Sequence, residues 1–289
     1  MKQGKASKTA ELSAMIRTLA TKNKFGKLVF NDPYSRLFIG NKTRFIYILN
    51  RINSFFNPSF WCKGMNSVGY LLSLCRHRFI YDIMIQDLQI ENTQFLIIGA
   101  GYDTSYLLLK DQIKSHKIIE LDFPATQQRK KKILHKHFNE TPNLYFYEID
   151  LKQRSIRNTL NDSIFDKNLY TVIIIEGVLS YLTKPEIEEL IKELSTISRK
   201  VKIIADYRKP ELNEEKNTTA KTWTRSFSEY HEKYVSFYTE EEIDILLKNL
   251  NLSTEQNRDL LDLWITHEQL KPNKNLTDFG GIFVATNGI

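Results

Sequence analysis

Two glycines follow an apolar run in the segment FLIIGAGYDTSY at 95–106. Glycine permits a sharp turn at the end of a strand, and it lets the backbone approach a ligand closely. Gly99 and Gly101 are therefore candidate binding residues, although glycine pairs also end strands for purely local reasons. The third glycine of a dinucleotide-binding G-x-G-x-x-G motif is absent, because Ser105 stands near its place. A tightly held pyrophosphate is accordingly less favoured.

Acidic residues follow the next apolar segments. IIELDFP carries Glu120 and Asp122 at the distance from the glycines where a carboxylate can accept hydrogen bonds from both ribose hydroxyls, although an acid at a strand end is also a common turn residue. Asp150 and Leu151, in EIDL, are placed to supply an acid and an apolar wall beside an adenine. Glu176 follows a fully apolar run, and we expect it to be paired because burial of a lone charge is costly. Together these segments predict a nucleoside site.

The elements that must position these residues alternate between strands and helices. Short segments rich in β-branched and aromatic residues predict strands at 93–99, 117–121, 144–149, 169–175 and 200–207. A T-x-x-E capping box predicts a helix after Thr183 and another after Thr239, each with apolar residues at helical spacing. Strands separated by helices form βαβ units and a mainly parallel sheet, so the fold class is α/β. Ligands bind such sheets beyond the carboxyl ends of the strands.

The composition excludes several classes of protein. The chain has 289 residues, of which 42% are hydrophobic, and it can bury a sizeable core in one large or two small domains. Its longest apolar candidate, VIIIEGVL, is far shorter than a membrane helix, and no apolar signal-type stretch begins the sequence. Cys62 and Cys75 form no CxxC pair, and no group of His, Cys or carboxylate residues has ligand spacing. We predict no metal, no membrane association and a cytoplasmic location.

The net charge of +7 permits an acidic partner without requiring one. The densest basic cluster, QQRKKKILHKH at 127–137, is typical of a helix that turns Ile133 and Leu134 inward and keeps its lysines solvated. A solvated helix face is favoured over a nucleic-acid contact. His135 and His137 point in different directions on a helix, so they cannot hold a metal together.

Motifs along nearly the whole chain resemble the leucine carboxyl methyltransferase family. They are, in the family's order, TAELSAMIRTLA, FNDPYSRLF, CRHRFIYDIM, IIGAGYDTSY, ELDFP, IIIEGVLSYLTKPE and GGIFVATN. The family includes enzymes that methylate the C-terminal carboxylate of a phosphatase catalytic subunit, a tRNA wybutosine-modifying branch and bacterial small-molecule O-methyltransferases. The resemblance implies a class I methyltransferase fold, with a Rossmann-like seven-stranded sheet whose last hairpin is reversed. The domains would be a helical cap (1–90), an α/β core (91–207), a substrate lid (208–238) and the remainder of the core (239–289).

The resemblance also implies S-adenosyl-L-methionine as the cofactor. Gly99, beside Gly101, matches the family's cofactor-turn glycine, and Asp122 matches the acid that holds the ribose. The residues at the adenine are matched by Asp150 and Leu151. Glu176 matches the acid that faces the amino group of the methionine moiety.

Two more residues carry over from the family. Arg76 matches the arginine that pairs with the cofactor carboxylate, although Arg78 is an alternative equivalent, and Arg17 matches a second basic residue near that carboxylate. A zwitterionic amino-acid tail needs both a guanidinium and a carboxylate partner. Tyr181 is the candidate catalytic residue, with a positioning role. The alternative is that these are surface arginines, paired with Asp82 or Glu11, and a tyrosine of the core.

The implied function is O-methyl transfer, and the acceptor is open. A small-molecule or peptide carboxylate is ionised at pH 7 and needs no general base, whereas a hydroxyl needs one. No isolated histidine ends a core strand, and His231, in the variable segment 208–238, is an unassigned candidate. That segment is either a lid, offering Trp223, Phe227 and Tyr230 to a substrate, or a solvated connection.

Other functions remain as alternatives. They are an O-methyltransferase of a small-molecule hydroxyl or of a modified tRNA nucleoside, a nicotinamide-dependent oxidoreductase, and a non-catalytic nucleoside-binding regulator.

Overall fold

A seven-stranded sheet forms the centre of the computed structural model, which describes residues 6–22, 29–41, 44, 48, 68–213, 234–266 and 280–287. The strands are β1 (Gln94–Ile98), β2 (Lys117–Asp122), β3 (Leu144–Glu148), β4 (Tyr170–Ile175), β5 (Lys200–Arg208), β6 (Ser253–Asp259) and β7 (Gly280–Thr286). Their order is β3-β2-β1-β4-β5-β7-β6, and β7 runs antiparallel to both β5 and β6, whereas the other pairs are parallel. This arrangement confirms the predicted α/β class and the reversed last hairpin. The strand order reverses between β1 and β4, which is where such sheets bind ligands.

Helices connect and cover the strands. The described helices are α1 (Lys8–Lys22), α2 (Val68–Asp87), α3 (Ser105–Leu109), α4 (Pro124–His137), α5 (Ile156–Leu160), α6 (Lys184–Ser195), α7 (Glu240–Asn249) and α8 (Leu260–Thr266), with short 3-10 turns at Ser35–Phe38, Leu179–Tyr181 and Pro210–Asn213. Both predicted capping boxes are present, at Thr183 with Glu186 and at Thr239 with Glu242. Each box satisfies amide groups that the first turn of α6 or α7 would otherwise leave unpaired.

The hydrophobic core lies in two layers, one on each face of the sheet. Phe95 and Ile97 of β1 belong to the layer that α2 covers, while Leu96 and Ile98 belong to the layer that α6 covers. All five residues of β1 are buried. Strands buried on both faces are continuously apolar, which explains why the run before Gly99 shows no polar alternation.

Helix α4 corrects one expectation from the sequence. Leu134 is buried and most of the lysines in 127–137 are exposed, as predicted. Lys130 differs, because its side chain is 2% exposed and its Nζ lies 2.6 Å from Oε2 of Glu120. The prediction that every lysine of this cluster stays solvated is therefore wrong at Lys130. Its side chain is buried because it pairs with the buried carboxylate of Glu120.

Several predicted features lie outside the described residues. They are the segment 50–61, Cys62 and, from the predicted lid, Trp223, Phe227, Tyr230 and His231. None of the helices that the structure describes is long and apolar enough to cross a membrane.

Candidate functional site

A cavity of about 720 Å³ opens at the carboxyl ends of the central strands. Its wall is formed by α1, the glycine turn after β1, the ends of β2, β4 and β5, and the residues 234–235. All nine predicted site residues line it: Arg17, Arg76, Gly99, Gly101, Asp122, Asp150, Leu151, Glu176 and Tyr181. Residues that are far apart in sequence thus meet at one edge of the sheet.

The glycine turn depends on the conformational freedom of glycine. Gly99 and Gly101 both have positive φ, of 66° and 51°, which side chains strongly disfavour. A Cβ at Gly99 would also stand 2.4 Å from Cγ2 of Val178. The turn is held to β2 by Asp122, whose carboxylate accepts hydrogen bonds from the amides of Gly101 and Phe123. Asp122 is therefore fixed at the cavity wall.

Glu120 is not at the cavity, although the sequence pattern places it with Asp122 at the carboxyl end of its strand. It stands two residues earlier on β2 than Asp122, where α4 covers it, and it is 1% exposed. Its carboxylate pairs with Lys130 instead. Burial raises the pKa of Glu120 to about 7, against the attraction of Lys130. One acid, not two, remains available at this part of the site.

Asp150 and Leu151 lie at the cavity edge just after β3, and both are half-buried. The carboxylate of Asp150 accepts hydrogen bonds from the amide of Lys152 (3.1 Å) and from Nε2 of Gln153 (2.9 Å). These local bonds close the turn that follows β3 and fix the carboxylate beside Leu151.

The end of β4 carries a network of opposite charges. Oε1 of Glu176 accepts a hydrogen bond from Nε of Arg76 (2.9 Å), and its Oε2 lies 2.7 Å from Nδ1 of His77. Nη1 of Arg76 also donates to Oδ2 of Asp206 (2.8 Å). Burial opposes ionisation of Glu176, but His77 and Arg76 outweigh it and hold the pKa of Glu176 well below its usual range. The predicted pairing of Glu176 is confirmed.

The two possible arginines of CRHRF have different environments. Arg76 is 6% exposed and lines the cavity. The Arg78 side chain is 36% exposed and pairs with Asp82 one helical turn away, at 2.8 Å. The surface interpretation therefore fits Arg78, and Arg76 is the residue at the site.

Arg17 is a buried residue of α1 and not a surface arginine. It donates to Oδ2 of Asp32 (2.9 Å) and to the carbonyl of Tyr102 (2.6 Å). Burial opposes ionisation of Asp32, but Arg17 and the Thr104 hydroxyl hold its pKa below the usual value. Arg17 thereby ties α1 to the glycine turn.

Two tyrosines and an arginine form another part of the cavity wall. The rings of Tyr181 and Tyr234 have centroids 5.5 Å apart, and the guanidinium of Arg208 lies 5.5 Å from the centroid of Tyr234. Backbone hydrogen bonds hold this arrangement: the Val235 amide donates to the carbonyl of Ser180, and a second bond joins Tyr238 to Arg208, each at 2.8 Å.

His77, Asp206 and Arg208 also belong to this charged network but are not among the site residues predicted from the sequence. Asp206 and Arg208 lie at the carboxyl end of β5, so the pattern that identified acids at the ends of β2, β3 and β4 would also have indicated Asp206. His77 shares helix α2 with Arg76 and lies beside Glu176 only because α2 crosses the end of β4. No spacing in the sequence indicates that contact.

Three residues that could in principle ligate a metal lie close together near the end of β4. One ligand atom each of His77, Asp103 and Glu176 lies within 4.8 Å of the others. Both oxygens of Glu176 are already engaged, by Arg76 and His77, and the guanidinium beside them would repel a cation. The contacts therefore describe an ion-pair network, and its mixture of acids and guanidiniums fits a zwitterionic ligand better than a metal.

Comparisons with known proteins agree with this fold. Residues 10–195 match the family model described as leucine carboxyl methyltransferase. The protein YktD of Bacillus subtilis (strain 168), provisionally named an S-adenosyl-L-methionine-dependent methyltransferase, is 27% identical over 269 residues, or 87% of this chain and 88% of YktD.

Two solved structures are also similar. A provisionally named methyltransferase from Thermobifida fusca YX is 15% identical, with a TM-score of 0.55 over 98% of this chain and 96% of that one. Magnesium protoporphyrin IX methyltransferase from Synechocystis PCC 6803, crystallised with S-adenosylhomocysteine (SAH), is 10% identical, with a TM-score of 0.49 over 82% of this chain and 97% of that one. The Thermobifida structure shares the fold of this chain along nearly its whole length.

Proposed function

This chain belongs to the leucine carboxyl methyltransferase family and is an S-adenosylmethionine-dependent methyltransferase, and from that premise we propose that it forms a methyl ester on a carboxylate acceptor. The acceptor is a small-molecule or peptide acid. The nicotinamide-dependent oxidoreductase considered from the sequence has no support among these relatives.

The cavity offers groups that suit each part of S-adenosylmethionine. In this proposal Asp122 accepts hydrogen bonds from the ribose hydroxyls, while Asp150 and Leu151 contact the adenine. Gly99 and Gly101 allow the backbone to approach the cofactor closely. A carboxylate for the ribose and an apolar surface for the adenine, placed beside a glycine turn, suit a nucleoside ligand.

The charged end of the cavity suits the methionine moiety. Arg76 and Arg17 attract its carboxylate, and Glu176 attracts its amino group. Asp206 and His77 already hold Arg76 and Glu176 in place, so little side-chain ordering remains to be done when the ligand binds.

One observation carries the choice of a carboxylate acceptor. Among the described residues that line the cavity there is no histidine, and its four carboxylates already accept hydrogen bonds. These are Asp103, Asp122, Asp150 and Glu176. Among the described residues, a hydroxyl acceptor would therefore meet no histidine and no carboxylate free of hydrogen bonds to take its proton. An ionised acid needs no such group.

The residues of the chain then act by positioning. When bound, S-adenosylmethionine supplies a sulfonium methyl group, to which an acceptor oxygen bonds while the carbon–sulfur bond breaks and its electron pair remains on sulfur. Tyr181, at the cavity wall, orients the acceptor toward that methyl group. Rate gains of this kind come from orientation.

The test separates esters from ethers by their stability in alkali. The protein is incubated with S-adenosyl-[methyl-³H]methionine and a panel of acids: benzoate, phenylacetate, octanoate and a peptide with a C-terminal leucine. We expect label that mild alkali releases as volatile methanol. Alkali-stable label would contradict the carboxylate proposal, and the absence of SAH binding by calorimetry would contradict the methyl-donor site itself.

A further inference from the structure

Arg208 is a buried cation that has no proposed contact with the cofactor. It ends β5, its side chain is 5% exposed, and it lines the same cavity as Glu176 and Tyr181. No part of S-adenosylmethionine needs it, because Arg17 and Arg76 are already available for the one carboxylate of that cofactor. A guanidinium buried in a ligand cavity requires a compensating partner.

The hydrogen bonds of Arg208 leave part of its guanidinium free. Nη1 donates to Oδ2 of Asp206 (2.6 Å) and, at 3.5 Å, to the carbonyl of Tyr207. Its Nε is buried and has no hydrogen-bond partner in the part of the chain that the structure describes. A guanidinium binds a carboxylate best through two parallel N–H groups, and Nη1 is the nitrogen already engaged.

The countercharge of Arg208 is shared. Oδ2 of Asp206 also accepts a hydrogen bond from Nη1 of Arg76 (2.8 Å). Arg76 has Glu176 as a second acid, whereas Arg208 has no ion-pair partner other than Asp206 among the described residues. Asp206 is thus one carboxylate shared between two guanidiniums. This region of the cavity attracts a further anion.

The surroundings of Arg208 limit the kind of anion. Tyr234 lies over its guanidinium, and Tyr181 lies against Tyr234. Val235 and Leu182 add apolar wall. An inorganic ion would leave these aromatic and aliphatic surfaces uncovered, whereas an organic acid covers them with its carbon skeleton.

We propose that Arg208 is a specificity-determining residue that binds the carboxylate of the methyl acceptor, with Tyr181 and Tyr234 as the wall for its carbon skeleton. The proposal rests on the proposed function, because it assumes that the cofactor occupies the remainder of the cavity. Loss of the negative charge on esterification removes the attraction to Arg208, which gives a physical reason for the ester to leave.

The experiment measures binding of acids and their neutral amides to the SAH-loaded full chain. Benzoate, phenylacetate and octanoate are titrated by calorimetry beside benzamide, phenylacetamide and octanamide. We expect at least one acid to bind and its amide to bind at least about tenfold more weakly, because a charge-assisted hydrogen bond is lost. Arg208→Gln should weaken binding of the acid by a similar factor. Arg208→Lys should weaken it less, because lysine keeps the charge but lacks the planar guanidinium.

Two controls distinguish a failure of the Arg208 proposal from a failure of the proposed methyl-donor site. SAH affinity is measured for every variant. Arg78→Gln serves as a surface-arginine control and should change neither the affinity for SAH nor the affinity for the acids. Equal binding of acids and amides, binding of no acid, or unchanged acid affinity in Arg208→Gln would each overturn the role of Arg208 while SAH binding stands. If Arg208→Gln also loses SAH, the preference of the native protein for acids and its reduction in Arg208→Lys decide the question.

Discussion

Arg76 donates through Nε to Oε1 of Glu176 across 2.9 Å, and this bond joins two residues that are one hundred positions apart in the chain. It fastens helix α2 to the end of β4. Asp206 holds the other end of Arg76, and His77 holds the second oxygen of Glu176. The charged end of the cavity is therefore built before any ligand arrives, from groups that support the fold as well.

We expect replacement of Arg76 to affect both stability and ligand binding. Arg76→Gln leaves the buried carboxylates of Glu176 and Asp206 without their shared guanidinium, which should cost about 3 kcal/mol in the free energy of unfolding. Arg76→Gln should also weaken the binding of SAH by at least about tenfold, because a charge-assisted contact is lost. Urea unfolding and calorimetry measure the two effects.

Arg78→Gln is the matched control for Arg76. The Arg78–Asp82 pair is about one-third exposed, and pairs of this kind contribute less than about 1 kcal/mol. We therefore expect almost no change in stability or in SAH affinity. A loss of SAH binding in Arg78→Gln with none in Arg76→Gln would show that the wrong arginine has been assigned.

Asp122→Ala should weaken the binding of SAH by an order of magnitude or more. The variant loses the proposed ribose contact, and it also frees the amide of Gly101 that Asp122 holds. Calorimetry measures the affinity, and Asp162→Ala, which removes an exposed acid that does not line the cavity, is the control. Unchanged affinity in Asp122→Ala would mean that the ribose lies elsewhere.

The strands and the acids that follow them were predictable from the sequence because each signal is local. An apolar run marks a strand, and the residue after it must lie at the carboxyl edge of a parallel sheet. Asp122, Asp150 and Glu176 were all found in this way. The same pattern places Glu120 beside Asp122, but Glu120 stands two residues before the end of β2, where it pairs with Lys130 of the following helix.

The contacts that complete the site could not be predicted, since they depend on packing between distant elements. The pairing of His77 with Glu176 follows from the path of α2 across β4. Arg208 and Tyr234 come together because the segment after residue 233 folds back over the turn at Leu179–Tyr181. Neither relationship leaves a periodic or spaced signal in the chain.

Gly99→Ala should destabilise the protein for two separable reasons. The alanine would have to adopt a φ of 66°, and its Cβ would meet Cγ2 of Val178 at 2.4 Å. The first effect costs about 1 kcal/mol and the second about 1–3 kcal/mol. Val178→Ala in the same chain should relieve the clash and leave the strain, so the double variant should be more stable than the sum of the two single changes predicts. Additive changes, measured by urea unfolding, would contradict this account.

The Glu120–Lys130 pair should make stability depend on pH. Burial raises the pKa of Glu120 from 4.5 to about 7 in the folded protein, despite the attraction of Lys130. Below pH 4.5 both states hold the proton. Between about pH 4.5 and 7 the unfolded chain releases it while the folded chain retains it, so a rise in pH favours unfolding across this window. Above pH 7 both states are ionised and the effect is constant.

A double variant isolates this dependence from every other titrating group. Glu120→Gln with Lys130→Met removes both charges at nearly constant volume, and all remaining groups are common to the two proteins. The free energy of unfolding of the native protein, minus that of the variant, should fall by roughly 1–3 kcal/mol between pH 5 and pH 8. Urea unfolding at pH 5, 6, 7 and 8 measures it. A difference that stays flat or rises with pH would show that Lys130 keeps Glu120 ionised throughout, and that the attraction within the pair exceeds the cost of burying its charges.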